Sequence, residues 1–143
     1  MLVYEYPELD ALRGFLSSVP SISFGGCGFA AIAIYDNLLK NGHKDVEIIF
    51  AYSERSEWKY NQNIRVLTDG FDELESCTHV LIHIGEHYID CNEDRVLDEY
   101  AFSHPISRET MIEVLQEDEK WNHEFIRHIM VPLIEKRIGY RFW

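Results

Sequence analysis

The sequence predicts an α+β fold in which a central helix that carries a cysteine packs on an antiparallel sheet, with further helices at the C-terminal end. Three observations predict it. Residues 27–41 combine small and bulky apolar side chains at helical spacing. Residues 46–52 are rich in β-branched and aromatic side chains, which favour strands. Residues 78–91 alternate apolar and polar side chains around Gly85-Glu86, which is typical of a tight hairpin turn. At 143 residues, the chain is predicted to form a single domain, 1–143.

The N-terminal third is predicted to hold two helices joined by a loop. Residues 6–18 place leucines and a phenylalanine at helical spacing. The loop at residues 21–26 contains two glycines, which are conformationally permissive. The second helix, residues 27–41, is apolar on nearly all sides in its first half, which indicates a buried position. Its small residues would let a neighbouring element approach closely; they are Gly28, Ala30, Ala31 and Ala33.

The middle of the chain is predicted to hold strands separated by polar loops. Residues 64–67 have the composition of a short strand, and residues 71–75 that of one helical turn. The hairpin at residues 78–91 gives the clearest strand signal. We therefore place the core of the domain at residues 20–92.

The C-terminal third is predicted to be helical. One helix begins at Ser107, and another covers residues 121–138 with a bend near Pro132. We describe residues 104–143 as a helical C-terminal extension. Its aromatic residues either dock back on the domain or form a surface for a partner; they are Trp121, Phe125, Tyr140, Phe142 and Trp143.

The charge balance limits the classes of partner. The chain has 25 Asp and Glu residues against 13 Lys and Arg, a net charge of −12. Phosphate backbones and anionic membranes attract cations, so we expect no nucleic-acid binding and no membrane binding. The first ten residues carry acidic side chains and no Lys or Arg, which is unlike a signal peptide. Three cysteines, an odd number, argue against a disulfide framework, and we expect a cytoplasmic protein.

Cys27 is the first candidate catalytic residue. It follows Gly25-Gly26 and opens the apolar helix. A helix N-terminus carries a partial positive charge and unpaired N–H groups, which stabilise a thiolate and can donate to a developing oxyanion. The alternative interpretation is a small core cysteine after a glycine-rich loop, and position in the chain does not separate the two.

The predicted hairpin supplies a general base and a group to orient it, both of which a nucleophilic cysteine needs. With Gly85-Glu86 as the loop, His79 shares a face with Asp90, which is diagonal to it, and with Asn92, which is directly opposite. The other face of the hairpin is apolar and is predicted to join the core. A half-buried structural histidine is the alternative interpretation of His79.

A metal site is a further alternative for the histidines of this segment. His79 and His83 share a face of the predicted strand, because they are four residues apart. His87 falls on the other face, so the three imidazoles do not converge on one ion. We therefore expect no metal and no other cofactor.

Two segments resemble the papain-like cysteine hydrolase superfamily, which includes transglutaminase-like enzymes and bacterial cell-wall cysteine peptidases. They are GGCGFAAIA at residues 25–33 and HVLIHIGEHYID at residues 79–90. They are also similar to small uncharacterised phage and prophage-encoded members of that group. The resemblance implies a papain-like core in which Cys27 is the nucleophile, His79 the general base and acid, and Asp90 the residue that orients the imidazole.

The sequence departs from this family at the oxyanion hole. Many members place a glutamine a few residues before the cysteine, but both glutamines here, Gln62 and Gln116, lie downstream of it. Ser21 or Ser23, or a backbone N–H group such as that of Gly26, could take its place. Asn92 is a further auxiliary candidate.

The resemblance implies a cysteine-dependent hydrolase or acyl transferase that acts on an amide, isopeptide or thioester bond of a peptide or protein substrate. A deamidase or transglutaminase would use the same residues. One alternative is an inactive papain-like fold that serves as an acidic binding protein, such as a phage-encoded inhibitor of a host protein in the host cytoplasm. The net charge of −12 and the missing glutamine favour that alternative. A structural or assembly protein is the other alternative.

Overall fold

The computed structural model describes residues 9–20, 22, 26–51, 79–91, 94–95, 103–117 and 124–143. The helices within these ranges are α1 (Leu9–Ser18), α2 (Cys27–Lys40), α3 (Arg108–Glu117) and α4 (Val131–Ile138), and a π-helical turn, Ile126–Met130, leads into α4. The strands are β1 (Val46–Ala51), β2 (His79–Ile84), β3 (His87–Ile89), β4 (Asp94–Arg95) and β5 (Ser103–Ile106). The fold is α+β, as the sequence predicts.

The described strands form one antiparallel sheet in the order β4-β3-β2-β1-β5. β1 and β2 pair over six residues, from Val46 opposite Ile84 to Ala51 opposite His79. Side chains alternate between the two faces of the sheet, and both faces carry buried apolar residues. One face joins the main core through Ile48, Phe50, Val80, Ile82, Ile84 and Ile89. The other face carries a smaller cluster of Ile49, Ala51 and Leu81.

Helix α2 packs on the main-core face of the sheet, as the sequence predicts. Eight of its fourteen residues are buried. A Cβ added to Gly28 would lie 2.8 Å from Met111 Cε and 3.0 Å from Leu115 Cδ2, so α3 approaches α2 closely at this glycine. Helix α1 adds Leu9, Leu12 and Leu16 to the same core.

The C-terminal segment docks back on α2, which is one of the two interpretations offered by the sequence. Phe142 is buried, and its ring centroid lies 5.3 Å from that of Phe29. Tyr140 donates a hydrogen bond to Asp36, which also accepts bonds of 2.7 and 2.8 Å from Arg108. These contacts join three separate segments of the chain around one aspartate.

The prediction that the chain is helical from residue 104 is wrong at its start. Residues Ser103–Ile106 form β5, which pairs with β1 at the edge of the sheet. Pro105 suits this position because proline lacks the N–H group that a central strand must donate. The pattern hides the strand, because four residues that include a proline do not show strand alternation. β4 is a further strand that the sequence analysis does not predict.

Pro132 lies in the first turn of α4, directly after the π-helical turn, and the bend predicted there stays a prediction. Tyr52, the strand predicted at residues 64–67 and the turn predicted at residues 71–75 lie outside the described residues. Within the described ranges, no helix combines the length and the apolar character needed to cross a membrane.

Candidate active site

The β2–β3 hairpin has the register that the sequence predicts. Ile84 pairs with His87, so Gly85-Glu86 is the two-residue loop. Gly85 has a φ of +58°, in the left-handed region that primed hairpin turns require at the first loop residue. This register places Asp90 one residue beyond β3, diagonal to His79 and on the same face of the ladder.

The N-terminus of α2 brings Cys27 to the end of the sheet where β2 begins. Gly26 is the N-cap, and its carbonyl accepts the first helical hydrogen bond, from Ala30 N at 2.9 Å. A Cβ on Gly26 would lie 2.5 Å from Ile22 O and 2.6 Å from Met130 Sδ, so a side chain does not fit there. N–H groups in the first turn of a helix have no intrahelical acceptor, and those around Cys27 are able to donate to an oxyanion.

The structure brings Cys27, His79 and Asp90 together. His79 Nε2 lies 2.8 Å from Asp90 Oδ2, and Cys27 lines the same cavity as these two side chains. Because Nε2 faces the carboxylate, Nδ1 is the ring nitrogen that is available to the cysteine. The side chains of His79 and Asp90 are 27% and 15% exposed, so most of the surface of the pair is buried and a smaller part contacts solvent.

The surroundings of His79 favour its protonated form. Burial lowers the pKa of His79, because it removes water from the charged ring. The hydrogen bonds to Asp90 and Cys27, and negative charge on both groups, outweigh burial and raise the pKa of His79 to about 9. At neutral pH the ring is therefore an imidazolium with an N–H group on both sides.

A small cavity adjoins the cysteine. Its volume is about 30 Å³, which holds roughly one or two water molecules. The polar lining of the cavity comes from Cys27, His79, Asp90 and Cys91. Apolar side chains complete the lining; they are Ile22, Ala30, Ala31, Val80 and Leu81. A water molecule in this cavity would lie among the thiol, the imidazole and the carboxylate.

Cys91 lines the same cavity and is held as a neutral thiol. Burial raises the pKa of the Cys91 thiol to about 11, and the charge of Asp90 adds to the effect. Cys91 is therefore protonated at neutral pH, and a thiol is a poor nucleophile. Both cysteines are free in the structure. Cys77 lies outside the described residues.

The oxyanion and auxiliary groups expected from the sequence are described only in part. Gly26 adjoins Cys27 at the start of α2, where its lack of a side chain allows the close contacts with Ile22 and Met130. Ser23 and Asn92 lie outside the described residues. The backbone at the start of α2 is thus the oxyanion donor that the described structure offers.

The other two histidines of the hairpin lie apart from the site. His83 stacks on Tyr88 with ring centroids 4.7 Å apart, and its Nδ1 is 3.5 Å from Glu47 Oε1. His87 is buried and pairs with Ile84, which belongs to the main-core face. In the part of the chain that the structure describes, no group of three or more His, Cys, Asp or Glu side chains could hold a metal ion.

Arg13, which no sequence motif marks, also contacts the site. This residue of α1 donates from Nε to the main-chain oxygen of Asp90 at 2.8 Å. The two residues are 77 positions apart in the chain. No sequence signal marks the contact, because its acceptor is a backbone carbonyl whose place depends on the fold.

No protein-family model, no curated protein and no solved structure matches the chain. The described residues place a carboxylate on an imidazole, and both beside a thiol at a helix N-terminus. Such an arrangement suits attack by sulfur on a carbonyl carbon.

Proposed function

We propose that this protein is a cysteine-dependent hydrolase or acyl transferase with a papain-like triad of Cys27, His79 and Asp90. The observation that carries the proposal is the position of His79, whose Nε2 lies 2.8 Å from Asp90 Oδ2 and which lines one cavity with Cys27 at the start of α2. A nucleophile, a base and an orienting acid in this order are the parts that acyl transfer needs. The bond attacked is an amide, isopeptide or thioester.

The first half of the reaction forms an acyl-enzyme. Cys27 Sγ attacks the carbonyl carbon as a thiolate, and the π electron pair of the carbonyl moves to its oxygen. Backbone N–H groups at the start of α2 stabilise this oxyanion. The imidazolium of His79 then donates its proton to the leaving amine or thiol, the scissile bond breaks, and a thioester remains on Cys27.

The second half of the reaction releases the acyl group. The neutral imidazole of His79 takes a proton from water, or from an acceptor amine in a transfer reaction. The oxygen or nitrogen so activated attacks the thioester, and Cys27 leaves as a thiolate beside the restored imidazolium. Asp90 stays ionised and holds the ring so that Nδ1 faces the sulfur.

The proposed substrate is a peptide or protein. The net charge of −12 favours a basic or neutral substrate over an acidic one, because like charges repel. The same charge suits an acidic binding protein, which is the alternative function. The two functions differ in whether Cys27 carries and releases an acyl group.

Acetylation and turnover with p-nitrophenyl acetate test this proposal, because this small activated ester needs no specific recognition. We expect a transient acetyl group on Cys27, located by mass spectrometry after an acid quench, and continuous release of nitrophenol. Cys27→Ala should abolish both, and His79→Gln should slow acetylation about 100-fold or more. Cys91→Ser is the matched control and should keep wild-type rates.

Two results would overturn the enzyme proposal. One is acetylation of native Cys27 no faster than that of the urea-unfolded chain. The other is acetylation without release, at the same rate in wild type and His79→Gln. Either result would leave the acidic binding protein as the better interpretation.

A further inference from the structure

We propose that Arg13 is a positioning residue that holds Asp90 in hydrogen-bonding geometry with His79. The inference rests on the proposed function, since it concerns how that triad is kept in place. Arg13 is not bonded to the nucleophile or the base; its described bond runs from Nε to the Asp90 carbonyl at 2.8 Å. Its action on His79 is therefore through Asp90.

Asp90 lies just beyond the end of a strand, where a contact from another element helps to fix its backbone. β3 ends at Ile89, and Asp90 is the first residue beyond the strand. A turn of the Asp90 backbone would swing its carboxylate away from His79. A donor from a different element at the Asp90 carbonyl restrains this turn.

Helix α1 gives Arg13 a rigid base. Leu12 and Leu16, which flank Arg13 on α1, are both buried in the main core. Arg13 itself is half-buried, and its bond to Asp90 is short, as bonds from a charged donor are. The guanidinium is planar with a fixed set of donor directions, so the bond sets orientation as well as distance.

The charge of Arg13 also reaches the site. Burial and the Asp90 carboxylate raise the pKa of Cys91, whereas the Arg13 cation lowers it. Cys91 lines the cavity beside Cys27 and His79. Arg13 thus lies close enough to the triad for its guanidinium to act on the same cavity.

The test compares Arg13→Met with Arg108→Met. Arg108 is a matched control, because it is also half-buried and donates from Nε to an aspartate, Asp36 Oδ1, at 2.7 Å, but it lines no part of the cavity beside Cys27. The first measurement is the NMR titration of the His79 ring, assigned with His79→Gln. The second is the acetylation rate of Cys27, and thermal unfolding reports the structural cost of each variant.

Loss of the Arg13 cation alone would raise the pKa of His79, but burial and contacts with Asp90 and Cys27 set that pKa. We therefore expect the displacement of Asp90 to dominate in Arg13→Met, so that the midpoint of the His79 titration falls from about 9 and acetylation slows about fivefold. Arg13→Lys should recover part of both effects, because lysine keeps a charged donor with a less fixed direction. Arg108→Met should lower the unfolding temperature while leaving the titration and the acetylation rate unchanged.

Three results would overturn the role of Arg13. They are an unchanged His79 titration in Arg13→Met, equal effects of Arg13→Met and Arg108→Met, and no recovery in Arg13→Lys. If Arg13→Met does not fold, the His79 titration of Arg13→Lys decides. A midpoint below that of wild type supports the role of Arg13, and a midpoint equal to that of wild type contradicts it. If wild type is not acetylated, the proposed function fails, whereas the titration still decides whether Arg13 acts on His79.

Discussion

Among single residues, Asp90 contributes most to keeping His79 protonated. Burial lowers the pKa of His79, and the bond to Asp90 makes the largest of the contributions that raise it. His79 and Asp90 can be paired from the sequence, because a two-residue turn fixes which side chains share a face. Arg13 cannot be found in this way, since its partner is a carbonyl brought near by tertiary packing.

Replacement of Asp90 by asparagine tests that effect. Asp90→Asn keeps the size of the side chain and removes its charge, so the pKa of His79 should fall. We expect acetylation of Cys27 to slow about tenfold, less than in His79→Gln. The measurement is the burst rate with p-nitrophenyl acetate, and a rate equal to that of wild type would show that Asp90 does not orient the base.

The raised pKa of His79 also makes stability depend on pH. The folded value is about 9 and the ordinary value is 6.5, so the folded state binds this proton more tightly than the unfolded chain. The resulting stabilisation is fully present below the unfolded pKa and is lost as the pH rises through the folded pKa. Relative to His79→Gln, the free energy of unfolding of wild type should fall by about 1–3 kcal/mol across that interval.

Urea unfolding of both proteins at several pH values checks this prediction. His79→Gln is the reference because glutamine does not titrate. The prediction is wrong if the two stability curves run parallel from below pH 6.5 to above pH 9.

At the scale of elements, the periodic segments are predictable and the short edge strands are not. α2 and the β2–β3 hairpin follow from helical spacing and alternation within one window of sequence. β4 and β5 have two and four residues, too few to show alternation, and they are strands because they pair with β3 and β1. Local pattern does not contain that information.

The start of α2 depends on a glycine at position 26. An alanine there would press its Cβ against Ile22 O and Met130 Sδ, which lie 2.5 and 2.6 Å from the ideal position. We expect Gly26→Ala to lower the free energy of unfolding by about 2 kcal/mol, and to slow acetylation by displacing Cys27.

Gly14 provides the matched control for this substitution. It lies within α1, and an added Cβ would meet nothing within 4 Å. Gly14→Ala should raise the free energy of unfolding by about 0.5–1 kcal/mol, since alanine favours helix over glycine. Equal effects of the two substitutions in urea unfolding would refute the packing explanation.

At the scale of the whole molecule, the C-terminal residues complete the core over α2. Phe142 is 4% exposed and packs against Phe29, whereas its neighbour Trp143 is 41% exposed. The sequence left open whether these aromatic residues dock or bind a partner, because composition does not state which side chain faces inward. Only the packing of the folded chain distinguishes Phe142 from Trp143.

Truncation of each aromatic side chain tests that distinction. Phe142→Ala should lower the free energy of unfolding by about 3 kcal/mol, because it leaves a cavity against Phe29. Trp143→Ala should change it by about 0.5 kcal/mol or less, as exposed positions do. Urea unfolding measures both, and similar losses in the two variants would contradict the docking of Phe142.

The central claim for the molecule is that Cys27 works as a thiolate beside an imidazolium of His79. The most direct measurement compares the alkylation of Cys27 by iodoacetate, an anion, with its alkylation by neutral iodoacetamide across the pH range. The imidazolium attracts the anion, so the ratio of the two rates should be higher in wild type than in His79→Gln and should fall as the pH rises through about 9. A wild-type ratio equal to that of His79→Gln at every pH would contradict the claim.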